Sequence, residues 1–270
     1  MGAFKKAAQK LTSEKMSAKS RKRLIVFIAI ITLLSMTTST VAWFTINTFA
    51  GVDSLDIHIS VAAQLKVAMH DYGTDLSRYG KVITNEMIDE FLAGDNTRLE
   101  DIILDPVTTS DGVRFTNKGG TQRERNKRSF LEFDCYFIAT EDMWVHLTTE
   151  DADEQRDTGT RVTSDSPSPQ NEVTDCSRVG FTTDSNGTAC FENNKGAAVT
   201  SLSTFDLPSG TMVYSDNTRL FHLDEMTPKK VTVRLWIEGE DPQCDDDVQD
   251  ADLQVRMSFV GCDNNNVPIS

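Results

Sequence analysis

The sequence predicts an all-β fold: a jelly-roll-like β-sandwich with one short helix, preceded by an N-terminal signal or transmembrane helix. Three observations carry that expectation. Apolar and polar residues alternate with period two in segment after segment from Leu55 to Phe259. Clusters of Gly, Asp, Asn and Pro separate those segments, and only one stretch has helical spacing.

The first 23 residues hold eight Lys or Arg and a single Glu, too polar to pack, and read as a basic cytoplasmic n-region. Arg21, Lys22 and Arg23 stop abruptly at Leu24, and in the 13 residues from Leu24 to Met36 only Thr32 and Ser35 are polar. A basic flank, an apolar run and a small-x-small ending make an export signal over residues 24–42. The run falls within the roughly 7–15 residues of a signal core and short of the roughly 20 that span a bilayer. Thr40 and Ala42 stand where a signal peptidase requires small side chains, which leaves Trp43 as the mature N-terminus. A second reading treats Leu24 to Phe44 as one membrane anchor that is never cleaved. Both readings need the export machinery and place residues 43–270 outside the cell as an extracellular β-sandwich domain.

From Trp43 to Phe49 aromatic or aliphatic residues alternate with small polar ones, and Gly51 and Asp53 offer a break before the next run. Leu55, Ile57 and Ile59 alternate with Asp56, His58 and Ser60, and Leu65, Val67 and Met69 continue the pattern. The one helix starts at Thr84 as cap, puts Met87, Ile88, Phe91 and Leu92 on one face, and stops at Gly94. Residues 99–115 read as extended, broken at Asp105-Pro106 and turned at Ser110-Asp111-Gly112. Leu131, Phe133, Cys135, Phe137 and Ala139 then share one strand face, and Met143, Val145 and Leu147 form another.

Residues 149–175 are rich in carboxylates, contain two prolines and almost nothing apolar, and read as an exposed mobile loop. Short strands come next, near 179–182, 189–192, 211–214 and 219–223. Val231 to Ile237 and Leu253 to Phe259 are the last two alternating runs. If they pair as a hairpin, Cys262 faces a residue near 230.

The formal net charge is −14, and beyond residue 23 there are 19 Lys or Arg against 40 Asp or Glu. So acidic an exported part is a poor partner for phosphate backbones, and nucleic acid is excluded as a ligand. The run Thr121 to Arg128 is its one basic patch, read as a turn.

Catalytic signatures are missing. His58, His70, His146 and His222 belong to no HExxH or HxH pair, and there is no GxSxG or GxxxxGK sequence. No catalytic residue or firm metal ligand is assigned, and the chain reads as a non-enzyme without a cofactor. The exception is a candidate calcium set, Glu238, Glu240, Asp241, Asp245, Asp246 and Asp247, since calcium takes six to eight oxygens. A solvated acidic turn between strands is the competing reading. Among five cysteines no CxxC occurs. Cys176 and Cys190 bracket a polar loop and are the candidate disulfide, and Cys135 reads as a buried thiol.

The segment TVAWFT (Thr40 to Thr45) directly after the apolar run, followed by Phe49-Ala50-Gly51 and Ser54-Leu55-Asp56-Ile57, resembles the start of TasA/camelysin-type exported surface proteins of Gram-positive bacteria. Two additional residues separate the glycine from the Leu-Asp pair here. The segments Asp105 to Gly112 and Arg234 to Pro242 look like parts of related surface proteins of Gram-positive anaerobes. The resemblance implies a jelly-roll subunit that assembles with its own copies into an extracellular fibre, pilus or biofilm matrix. An N-terminal strand of one copy would complete the sheet of the next, with Trp43, Phe44, Ile46 and Phe49 as the donor side chains. Alternatively residues 43–49 form the first strand of their own sheet or stay lipid-embedded. Two further function classes stand beside the fibre subunit: a membrane-anchored cell-surface binding module, and a camelysin-like secreted metallopeptidase, against which the lack of HExxH counts.

Overall fold

A computed structural model describes residues 26–28, 50–59, 64–125, 128–149, 159–184, 187–193, 195–196, 198–207 and 212–269. The chain divides into two units, residues 1–47 and 48–270. In the first, residues 26–28 are helical. The cleavage residues Thr40, Ala42 and Trp43 and the donor side chains Trp43, Phe44, Ile46 and Phe49 lie outside the described residues. No helix among the described residues is long and apolar enough to cross a membrane.

The second unit is mostly β-sheet. In chain order its strands are β1 (Ala50–Ile59), β2 (Leu65–Ala68), β3 (Val82–Ile83), β4 (Ile103–Leu104), β5 (Phe115–Thr116), β6 (Gln122–Arg123), β7 (Leu131–Ala139) and β8 (Met143–Leu147). Then come β9 (Arg161–Thr163), β10 (Ser177–Thr183), β11 (Gly187–Glu192), β12 (Thr204–Phe205), β13 (Arg219–Leu223), β14 (Lys229–Ile237) and β15 (Asp252–Cys262). Helix α1 (Asn85–Leu92) and the single turn α2 (Val173–Cys176) interrupt them.

The strands form two main sheets. One runs β13-β8-β15-β1-β3, with β4 also on β1 and β9 also on β15; the other runs β12-β11-β10-β14-β7-β2. Strands β1 and β15 are parallel, paired from Gly51 opposite Asp252 to Ile59 opposite Phe259, with a one-residue register shift at Asp53. The core lies between the sheets. Leu55, Ile57, Val255, Met257, Val145 and Phe221 from the first meet Phe133, Phe137, Val233, Leu235, Val179 and Phe181 from the second, all of them buried. Phe137 of the second sheet sits 5.1 Å from both Phe221 and Phe259 of the first, and Phe181 5.5 Å from Phe259. Each such ring pair adds roughly 0.5–1.5 kcal/mol beyond the area it buries.

The alternating runs at 55–59, 65–69, 131–139, 143–147, 231–237 and 253–259 thus become core strands, each turning its apolar set inward. The final two do not form a hairpin. β14 lies between β10 and β7 in one sheet, whereas β15 lies between β8 and β1 in the other. Cys262 therefore pairs with Trp144 and not with a residue near 230. Each strand has a full apolar face to bury, and splitting them between layers buries both faces against each other.

α1 begins after Thr84 as expected and buries Ile88 and Leu92. Its end differs: the chain tightens into a 3-10 turn over Ala93–Asp95, and Asn96, not Gly94, takes the left-handed conformation at φ 53°. Asn tolerates that region because its short polar side chain can bond locally.

The stretch 149–175, expected to be an exposed mobile loop, is ordered over 159–175. β9 pairs with Gln254 to Arg256 of β15, and Val162 and Val173 are buried. Asp252 anchors the residues just past β9, accepting hydrogen bonds from Ser164 Oγ at 2.8 Å, Ser166 Oγ at 2.6 Å and Ser166 N–H at 2.9 Å. Two apolar anchors and one carboxylate suffice to hold a polar segment when a sheet edge is available to it. Of the strand expected near 211–214, residues 212–214 are coil, and a short β12 forms at Thr204–Phe205 instead.

The outer face of the second sheet is not left to solvent. Val107, Phe115, Phe130, Cys190 and Trp236 make a second apolar cluster there, with Phe115 stacked on Phe130 at 4.2 Å and edge-on to Trp236 at 5.3 Å. The covering loop is tied down by Asp111, which accepts from the N–H groups of Val113 (2.9 Å) and Arg114 (2.8 Å). Burial works against its charge, yet those hydrogen bonds hold its carboxyl down to about 2.

Candidate assembly surface

Two flanks of the sandwich join the sheets, and they differ. On the β2–β3 side the chain crosses from one sheet to the other. Val67 and Gly80 exchange two backbone hydrogen bonds of 2.9 Å, and Ile59 N–H donates to Lys81 O at 2.7 Å. A groove of about 680 Å³ lies on this flank, lined by Met69, Tyr72, Tyr79, Val82, Met87 and Phe91 among others. The backbone of its edge strand is already engaged.

Among the described residues the opposite flank is open: β13 has β8 as its only sheet neighbour, and β12, two residues long, ends the other sheet. Between them runs a groove of about 400 Å³ lined by Trp144, Ala189, Ser203, Phe205, Arg219 and Leu220 among others. An edge strand with unpaired N–H and C=O groups is a template for another strand. Arg219 braces this edge: its guanidinium lies 4.5 Å over the Trp144 ring and donates to Asn266 Oδ1 at 2.9 Å and Asn264 O at 3.0 Å.

The six carboxylates read as a candidate calcium set do not come together. Glu238 and Asp241 are buried and the other four are exposed. Asp241 forms an ion pair with Arg178 Nη2, which also lies 2.9 Å from Glu192. Glu238 accepts from Trp236 Nε1 and from Glu240 N–H, each at 3.3 Å, and burial pushes its carboxyl up. Asp245 instead caps a 3-10 turn through Asp247 N–H at 2.9 Å, and Asp246 accepts from Gln249 at 3.1 Å. Among the described residues no group of three or more His, Cys, Asp or Glu is arranged to hold a metal. The acidic run is thus divided between a buried ion cluster and a capped turn.

Arg178, the centre of that cluster, does not stand out in the sequence pattern. One signal was available. In the hairpin of β10 and β11 Arg178 stands directly opposite Glu192, and opposite charges facing across a pair are favourable. A second row of cross-strand pairs runs along the same outer face, between antiparallel β14 and β7: Arg234 Nε donates to Glu132 at 2.6 Å, and Thr232 Oγ1 to Asp134 at 2.7 Å.

The hairpin register also overturns the expected disulfide. Gly180 faces Cys190, whereas Cys176 lies at the end of α2 just before β10, beyond Ser177, which alone is roughly 10 Å from Gly180 at about 3.3 Å per strand residue. That exceeds the reach of a disulfide. All five cysteines are free, and Cys176 lies against Cys244 instead. Cys135 is buried on β7 as expected, and burial pushes its thiol up.

The histidines are dispersed. His146 is fully buried on β8, with Nδ1 3.1 Å from Thr218 Oγ1 and no partner for Nε2. Burial, reinforced by Arg219, lowers its pKa to about 4. His222 pairs with Asp224 at 3.3 Å and packs 4.9 Å from Trp144. His58 is on β1 opposite Ser258. Compared with protein-family models, with curated proteins and with solved structures, the chain matches none.

Proposed function

We propose that this chain is an exported, non-catalytic structural subunit of an extracellular fibre, in which residues 43–49 of one copy add a strand to the open flank of the next. The observation that carries this reading is the edge of β13, which has no second sheet neighbour among the described residues, beside the groove lined by Phe205 and Leu220. An alternating segment such as Trp43 to Phe49 offers such an edge main-chain hydrogen bonds, with aromatic side chains for the groove. Addition of this kind is head-to-tail, does not close, and grows filaments. Jelly-roll winding belongs to the same reading. Support comes from the way the chain switches layers between β7 and β8, β11 and β13, β13 and β14, and β14 and β15.

The test is N-terminal sequencing of the extracellular protein, with negative-stain microscopy of the same sample. A start at Trp43 with filaments supports the subunit. An intact N-terminus in the membrane fraction without filaments replaces it with the anchored binding module. Filaments that persist after deletion of residues 43–49 overturn strand addition.

A further inference from the structure

Cys176 ends α2 at the foot of β10, and Cys244 sits in the loop after β14. Contacts on each side bring them together. Gln243 Nε2 donates to Asp175 Oδ2 at 3.2 Å, immediately beside both cysteines in sequence. Glu238 N–H donates to Cys176 O at 2.8 Å, and Cys244 N–H to Asp241 O at 2.9 Å, so the loop returns over Cys176. Cys244 packs against the same core cluster that contains Cys176. Cys135 and Cys190 are wholly buried on other strands, and Cys262 faces Trp144.

We propose that Cys176 and Cys244 are a modification site, a dithiol that closes to a disulfide by exchange with a small-molecule disulfide and so latches the 239–251 loop onto β10. Cys244 is the half-exposed member and makes the first attack. Its thiolate takes one sulfur of the reagent; the other leaves as a thiolate and picks up the proton. Cys176 then loses its proton to water and attacks the Cys244 sulfur, expelling the second reagent thiol. Two protein thiols are oxidised and one disulfide is reduced to two thiols. In the reduced protein the hydrogen bond with Cys244 and burial push the Cys176 thiol up, so Cys176 is a poor first nucleophile. Capping Cys244 removes the first of those effects; burial and Asp241 still oppose the Cys176 thiolate, and the Arg178 guanidinium favours it.

The latch encloses β10 to β14 and fastens the loop that carries Asp241 to Arg178. Removing loop-closure freedom of that length from the unfolded chain raises Tm by roughly 5–15 °C. The proposal does not depend on fibre assembly and is tested apart from it. The full chain is equilibrated with oxidised glutathione, quenched with an alkylating agent, denatured and mapped by peptide mass. Expected is one cross-linked peptide pair joining 176 to 244, lighter by two hydrogens, with the other three of the five cysteines alkylated. Five alkylated cysteines after that treatment, or Cys176 linked elsewhere, overturn the proposal. Cys244→Ser should abolish both the cross-link and the rise in Tm, and the mapping of the unaltered chain stands whether or not that variant folds.

Discussion

The guanidinium of Arg178 lies 2.9 Å from the carboxylate of Glu192, and both side chains are sealed from solvent. Asp241 completes the contact from the loop after β14. Removing the cation strands two buried carboxylates, a loss of roughly 3–5 kcal/mol. Arg178→Met should therefore lower unfolding free energy in urea by about that amount. Arg98→Met, which breaks an exposed pair with Glu100, should cost under about 0.5 kcal/mol. Equal effects from the two would remove the cluster from the account of stability.

His146 makes stability depend on mild acid. Its folded pKa of about 4 lies below the ordinary 6.5, so between those values the unfolded chain binds a proton that the folded chain does not. The contribution is fully present above pH 6.5, falls as pH drops toward 4 and is flat below it. At about 1.36 kcal/mol per unit, it amounts to about 3 kcal/mol. Denaturant unfolding of the native chain and of His146→Phe should give curves that converge across that window. Parallel curves would place the acid sensitivity elsewhere.

Gly159 has no room for a side chain. A Cβ there would overlap the carbonyl of Thr149, which is backbone and cannot rotate away. Gly159→Ala should cost roughly 1–3 kcal/mol, the usual range for overpacking. At Gly51 a Cβ meets nothing within 4 Å. There Ala should be neutral or stabilising by about 0.5–1 kcal/mol through lower unfolded-state entropy. Thermal unfolding of the two variants separates them by sign.

Ser203 is exposed on the rim of the groove beside β13. Ser203→Arg should fill that groove with a charged side chain while changing folding stability by less than about 0.5 kcal/mol. Filament length under the microscope should shorten strongly at unchanged Tm. Full-length filaments from this variant would move the acceptor away from the β13 flank.

The strands were legible where one face met the core and the other did not. β7, β8, β14 and β15 show this, since Phe133, Val145, Leu235 and Met257 recur at period two. What escaped the pattern lies on the second face. Trp236 and Arg178 occupy positions that alternate with the core, yet both are buried, because Val107 and Phe115 cover the first and the loop carrying Asp241 closes over the second. Covering loops have no period of their own, so nothing in the spacing announces them. Layer switching hid the partner of β14 for a related reason: strands next to each other in the chain pair only about two times in three. Composition misjudged 159–175, where Val162 and Val173 are few but well placed. The cysteine pair 176–244 joins segments separated in the chain by five strands, β10 to β14, a proximity that only the assembled sandwich creates.

The parallel pairing of β1 with β15 sets how the domain bears force. The chain comes in at Ala50, at one end of the pair, and leaves β15 at Cys262, at the other. A pull on those two points acts along both strands in opposite directions, so the registered pairs from Gly51 to Ile59 resist together as a lap joint. Peeling them one at a time would need a load across the strands. Tension transmitted from the N-terminal side of the domain to its last strand therefore meets the sheet in its strongest direction.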